Sequence, residues 1–343
     1  MNLLTRLPGR SRPLSRTLGQ ELARGARRGA TRPARRLAWT AAALGALALT
    51  NHALARLAER RHPPEGRFLE VDGVRLHYTD RGEGSPVVLI HGNVVTGADY
   101  DTSGLADLLI ARHRVIVFDR PGFGHSSRPR GRLWTADEQA ALLRKALRQL
   151  GVERPVVVGH SWGAIVALAF AQRHPADTAG LVLLSGYYFW TLRPDVWIAS
   201  LGAVPVLGDL LRYTVSPLFG WLTTPLLKRA MFAPAPVAPR FERDFSPAMA
   251  LRPSQIRATA ADAALMIPGA LSLRAGYREI AMPVAILAGE GDRVVFKRAA
   301  ERLHGEIPGS TLEIVPGAGH MVHHLVPRHA ARAVEAVEAA ARA

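Results

Sequence analysis

From Phe68 onward the chain alternates short apolar runs with longer amphipathic stretches. Phe68 to Val71 and Val74 to Tyr78 flank Asp72-Gly73, the pattern of a β-hairpin closed by a tight turn. Apolar runs then recur without internal alternation at Pro86 to Ile90, Val115 to Phe118, Pro155 to Val158, Leu181 to Leu184, Val284 to Leu287 and Leu312 to Val315. Strands of that composition are buried on both faces. Helical periodicity lies between them, as in Thr135 to Leu150 and Trp162 to Arg173. The alternation predicts an α/β fold: a mostly parallel sheet with helices on both faces, its first two strands forming an antiparallel edge.

The rhythm breaks once. Between Gly186 and Met282 no buried strand is evident, while Trp190, Trp197, Phe219, Trp221 and Phe232 fall at helix-like spacing. Residues 187–281 are read as a helical cap over the carboxyl ends of the strands, with Pro234, Pro236 and Pro239 marking a loop inside it. Residues 66–186 and 282–343 form the core. His62-Pro63-Pro64-Glu65-Gly66 separates this domain from what precedes it.

Charge changes the picture at the N-terminus. The formal charge of the 343 residues is +16, and Met1 to Arg36 holds ten arginines against the single acid Glu21, or 10 − 1 = +9. This basic head, residues 1–36, has little apolar periodicity and is expected to be disordered. Leu37 to Ala55 follows as 19 residues without Asp, Glu, Lys or Arg, close to the ~20 needed to span a bilayer. It reads as a signal anchor, a cleaved export signal ending at Ala53-Leu54-Ala55, or a soluble helix. If it spans, the arginines keep the N-terminus cytoplasmic and the globular domain on the far side. The alternatives are export, or a cytoplasmic protein whose basic arm rests on anionic lipid. Without interleaved aromatics the head does not predict a nucleic-acid partner.

The chain has no cysteine, which excludes disulfides and thiolate chemistry. A nucleophile must then be an oxygen or nitrogen. Val156 to Val158 runs into Gly159-His160-Ser161-Trp162-Gly163 and then a helical stretch. Gly-x-Ser-x-Gly between strand and helix allows a sharp turn that exposes the serine hydroxyl, with helix amides aimed at developing negative charge. Ser161 is therefore the expected nucleophile, and it requires a base. His320 supplies one in Gly317-Ala318-Gly319-His320, after the last strand. The carboxylate should lie between them in sequence. Ala288-Gly289-Glu290-Gly291-Asp292 offers Asp292, with Glu290 as the fallback. The amides of Trp162 and Asn93, the latter in His91-Gly92-Asn93 after a strand, are the expected oxyanion donors. His91 is read as bracing that loop.

His323 and His324 lie beside His320, but no nearby carboxylate completes a ligand set, so they are read as packing or supporting residues and no metal is expected. No motif calls for a nucleotide, flavin or other cofactor.

These motifs, with Asp119-Arg120-Pro121-Gly122-Phe123-Gly124, occur in the order found in the α/β-hydrolase superfamily. From about Phe68 to the C-terminus the chain resembles its branch of epoxide hydrolases, haloalkane dehalogenases, carbon–carbon bond hydrolases and esterases. The resemblance implies an eight-stranded sheet, a helical cap and the roles given above. Epoxide hydrolases and haloalkane dehalogenases use an aspartate nucleophile where this chain has Ser161, and epoxide hydrolases tend to carry proline where this chain has Val94. Serine implies ester, thioester or carbon–carbon cleavage through an acyl-enzyme. The aromatic cap suggests a small-to-medium, largely apolar acyl substrate. A cofactor-free perhydrolase or haloperoxidase-like activity and a non-catalytic, membrane-anchored binding protein are the alternatives.

Overall fold

The computed structural model of the chain describes residues 14–192 and 194–343. The chain divides into two compact units, residues 1–50 and 51–343. Helix α1 runs Leu14–Arg61, so the head expected to be disordered over 1–36 is helical from Leu14; residues 1–13 lie outside the described residues. Ala, Arg and Leu are strong helix formers, so a segment unable to build a core can still extend a neighbouring helix. The stretch Arg32–Arg61 is long and apolar enough to cross a membrane.

The second unit is built on eight strands, β1 (Arg67–Val71), β2 (Val74–Arg81), β3 (Ser85–Ile90), β4 (His113–Phe118), β5 (Val156–His160), β6 (Gly180–Leu184), β7 (Val284–Gly289) and β8 (Thr311–Val315). They form one sheet in the order β1-β2-β4-β3-β5-β6-β7-β8. The pairs β1/β2 and β2/β4 are antiparallel and the rest parallel. Alternate side chains of each strand enter opposite layers, as period 2 requires. On β5, Val157 joins one core with Leu143, Ile165 and Leu303, while Val156 and Val158 join another with Leu105, Val334 and Val337.

The longer helices after α1 are α2 (Ala136–Gln149), α3 (Trp162–Arg173), α4 (Pro194–Ser200), α5 (Leu207–Tyr213), α6 (Val215–Phe232), α7 (Pro253–Leu273), α8 (Lys297–Glu306) and α9 (Pro327–Arg342). Thr135 caps α2 by accepting the Glu138 amide. Between β6 and β7 the described residues form helices and loops, with α4 to α7 among them. Pro239, expected in a loop, instead opens a short helix, Pro239–Asp244, because proline suits the first helical turn. Pro253–Glu279 is also apolar enough to span a membrane, but here α7 is fastened to the core by buried polar contacts described below.

Candidate active site

The loops after β3, β5, β7 and β8 meet at the carboxyl edge of the sheet, around the crossover at β4-β3-β5 where such sheets place their sites. Ser161 caps α3 with φ 52° and ψ −116°, a strained conformation for a non-glycine residue. The flanking glycine makes the turn possible: a Cβ on Gly163 would lie 2.1 Å from the Ile90 carbonyl oxygen.

His320 Nε2 lies 2.9 Å from Ser161 Oγ, and His320 Nδ1 lies 2.9 Å from Asp292 Oδ2. The other oxygen of Asp292 accepts the amides of Val294 and Val295 at 2.8 and 2.9 Å. Asp292 is buried, and its three contacts fix the rotamer that faces the imidazole. Glu290 is not part of this chain: it is exposed and pairs with Lys297 at 3.5 Å.

Trp162 is the first residue of α3, so its amide is one of the helix's orphan donors. The His91-Gly92-Asn93 loop passes against Ser161; a Cβ on Gly92 would meet Ser161 Cβ at 3.1 Å. The carbonyl of Gly92 is held by His91 Nδ1 at 2.7 Å and Arg120 Nη2 at 3.0 Å. Because a trans peptide is planar, fixing that carbonyl also fixes the Asn93 N–H, which points the opposite way. The Asn93 side chain donates to the Thr259 carbonyl of α7.

His91 therefore braces the loop. Its Nδ1–H donates to Gly92, so its Nε2 accepts the Arg120 amide at 2.9 Å. Burial, and after it the Arg120 guanidinium, push its pKa down to about 4, which keeps the ring neutral.

The sequence places Arg120 in the Asp119-to-Gly124 motif but gives no sign of the partners it gathers beneath this loop. Arg120 is fully buried and donates to the His91 carbonyl (2.9 Å), Gln139 (3.1 Å) and Asp262 of α7 (2.5 Å). Arg128 reaches the other Asp262 oxygen at 2.9 Å. The Trp162 indole donates to the Asp262 carbonyl at 2.8 Å, tying the cap helix to the residue after the serine. The available signal was Asp262 itself, the sole acid in the apolar sequence of α7; such a residue must be paired if buried.

The histidine pair expected to lack a carboxylate has one. Asp99 accepts from His323 Nε2 and His324 Nε2, both at 2.8 Å. Burial raises the Asp99 carboxyl, but the two histidines outweigh it and hold it well below the usual range. Asp99 lies over two hundred residues away in sequence, which is why spacing around His320 gave no sign of it. Asp99, His160 and His323 also place one potential ligand atom each within 4.8 Å of one another. His160 Nε2 donates to the His320 carbonyl at 3.2 Å, so this buried cluster backs the His320 loop. A cavity of about 560 Å³ is lined by His62, His77, Val94, Asp99, Asp119 and Met249, among others, and Ser161 is not part of its lining.

Residues 85–327 match the family description of the alpha/beta hydrolase fold. The chain is 32% identical over 157 residues to haloalkane dehalogenase 2 of Mycobacterium tuberculosis, covering 44% of this chain and 53% of that protein, so it spans about half the length of that relative. It is 29% identical over 263 residues to 2-hydroxy-6-oxo-2,4-heptadienoate hydrolase of Pseudomonas putida, covering 75% of this chain and 90% of that one. Its fold is similar to that of a bacterial membrane phospholipase A, with TM-score 0.62 and 22% identity over 92% of this chain and 99% of the other. With a single eight-stranded sheet and a family match across most of its length, the chain belongs to the α/β-hydrolase fold family.

Proposed function

We propose that this protein is a serine hydrolase that cleaves an ester-like bond of a small-to-medium, largely apolar acyl substrate through an acyl-enzyme. The observation that carries the reading is the unbroken chain Asp292–His320–Ser161, with both links at 2.9 Å and the serine on a strained turn at a helix N-terminus. Ser161 Oγ attacks the carbonyl carbon while His320 Nε2 takes its proton, and Asp292 holds the Nδ1–H tautomer and stabilises the imidazolium. The carbonyl electron pair moves to oxygen, facing the Trp162 and Asn93 amides. Collapse breaks the ester C–O bond, and the alcohol leaves with the proton from His320. Water then repeats the sequence and releases the acid.

Similarity to the Pseudomonas putida hydrolase favours carbon–carbon cleavage as the second reading. Similarity to a dehalogenase does not bring dehalogenation, since position 161 is serine. The apolar part of α1 anchors the protein, with the arginines before it retained on the cytoplasmic side and the hydrolase domain on the other. The test of mechanism is fluorophosphonate labelling of wild type and Ser161→Ala. Modification of wild type alone supports an activated serine; an unlabelled wild type, under conditions that label a known esterase, refutes it.

A further inference from the structure

Helix α9 packs as amphipathic helices on a core do: Ala330, Val334 and Val337 are buried, and its charges face outward. Helix α6 does the reverse. Val215, Leu218, Phe219, Leu222 and Leu226 fall at i, i+3, i+4, i+7 and i+11, one helical stripe, and all are exposed. Trp197 and Ile198 of α4 and Val206 just before α5 are exposed apolar residues as well, and Trp197, Ile198, Val206, Phe219, Leu222 and Leu226 are each between 66% and 81% exposed. Between Val196 and Leu227 the only charged residues are Asp209 and Arg212, and these pair with each other. An apolar surface spread over three helices and nearly free of charge is not sustained in water without an occupant.

We propose that this face of α4, α5 and α6 docks into a lipid bilayer, and that the substrate is an acyl ester of a lipid delivered from that bilayer to Ser161; the substrate half rests on the serine-hydrolase reading. Three observations select a bilayer as occupant. Asn51, which lies within the stretch Arg32–Arg61 of α1 that is long enough to cross a membrane, donates its side-chain amide to the Tyr213 and Thr214 carbonyls at 2.9 and 2.8 Å. That junction of α5 and α6 lies between Val206 and Val215, two of the exposed apolar residues. Next, Val196–Ala203 and Leu207–Tyr213 are together apolar enough for a span but bent by 96° at the break, so they do not form one straight spanning helix. Finally, α6 ends at the site: the Met231 carbonyl accepts the amides of His320 and Met321 at 2.9 and 3.3 Å. Leu226 is five residues before Met231, about 8 Å along the helix, so the apolar stripe ends close to the loop that carries His320.

The absence of cysteine makes single labels clean. Full-length Phe219→Cys and, as a control on the exposed face of α8, Glu301→Cys are labelled with a fluorophore and reconstituted in phosphatidylcholine/phosphatidylglycerol vesicles. The label at 219 is expected to be quenched by nitroxide-bearing lipid and shielded from aqueous iodide, and the label at 301 the reverse. Equal access of iodide to both positions overturns the docking. So does a label at 219 that is shielded from iodide yet untouched by lipid nitroxide, because the cover is then a second copy of the chain. For the substrate half, Phe219→Ser/Leu222→Asp is expected to lower the ratio of phosphatidylglycerol hydrolysis in vesicles to p-nitrophenyl butyrate hydrolysis in solution by roughly tenfold; an unchanged ratio overturns it. Fluorophosphonate labelling in the same vesicles separates the two ideas, since lipid contact at 219 with an unreactive Ser161 sinks the hydrolase reading and leaves the docking standing.

Discussion

Arg120→Met tests whether the buried arginine orients the proposed oxyanion donor or only holds the fold. The substitution keeps bulk but removes the donors to the carbonyls of His91 and Gly92, to Gln139 and to Asp262. Asp262 keeps Arg128 at 2.9 Å, so its charge is not left alone. Breaking a buried ion pair by removing one partner costs about 3–5 kcal/mol, and the residual pair puts the expectation near the lower figure. Removing Arg173 from its exposed contact with Asp137 costs less than about 1 kcal/mol by the same measurement. For catalysis, complete loss of one oxyanion donor lowers turnover by ~10²–10³. His91 still grips the Gly92 carbonyl at 2.7 Å, so about half of that free energy is expected to go, roughly ten- to thirtyfold in kcat, with KM nearly constant. Urea denaturation reads the first quantity, and ester hydrolysis well below the unfolding transition reads the second. Arg120→Lys keeps a cation for Asp262 but not the fork that holds two carbonyls, so it is expected to recover stability without recovering kcat. A variant that loses stability while kcat stays within twofold of wild type refutes the orienting role.

Asp292→Asn is expected to lower kcat by about 10⁴ through the wrong histidine tautomer, whereas Glu290→Gln, on an exposed residue, changes it by less than about threefold; reversed effects would reassign the acid. The His91 pKa is about 4 folded against 6.5 unfolded, so the unfolded chain binds the extra proton between those values. Stability from this group is full above pH 6.5 and is lost as pH falls toward 4, about 2 kcal/mol by pH 5. The stability difference between wild type and His91→Gln should narrow by that amount between pH 7 and pH 5 in urea titrations, and a constant difference excludes the effect. Gly163→Ala would drive a Cβ to 2.1 Å from the Ile90 carbonyl oxygen and is expected not to accumulate as folded protein; a soluble variant with wild-type circular dichroism counts against that packing.

The α/β architecture was legible in the sequence because buried parallel strands leave unbroken Val/Ile/Leu runs, and the apolar stretches from Phe68 to Val315 correspond to the eight strands of the sheet. Gly-x-Ser-x-Gly was legible because a strand-to-helix turn that tight tolerates few residue types. Local pattern also drew attention to Asp292 and His320, each in a glycine-flanked turn after a strand. The sequence could not assign the partners that distant chain segments supply. Asp99 meets His323 and His324, and Asp262 meets Arg120 and Arg128, through folding of the sheet and closure of the cap, and no periodicity encodes either contact. It also misjudged the head, where helix propensity extends α1 back to Leu14 although no core is available. The outward stripe of α6 was hidden for a related reason: Leu218, Phe219 and Leu222 have the spacing of a core-facing helix, and spacing carries no sign of direction. Only the tertiary structure decides which side of a helix the rest of the chain covers, and here it covers the other one.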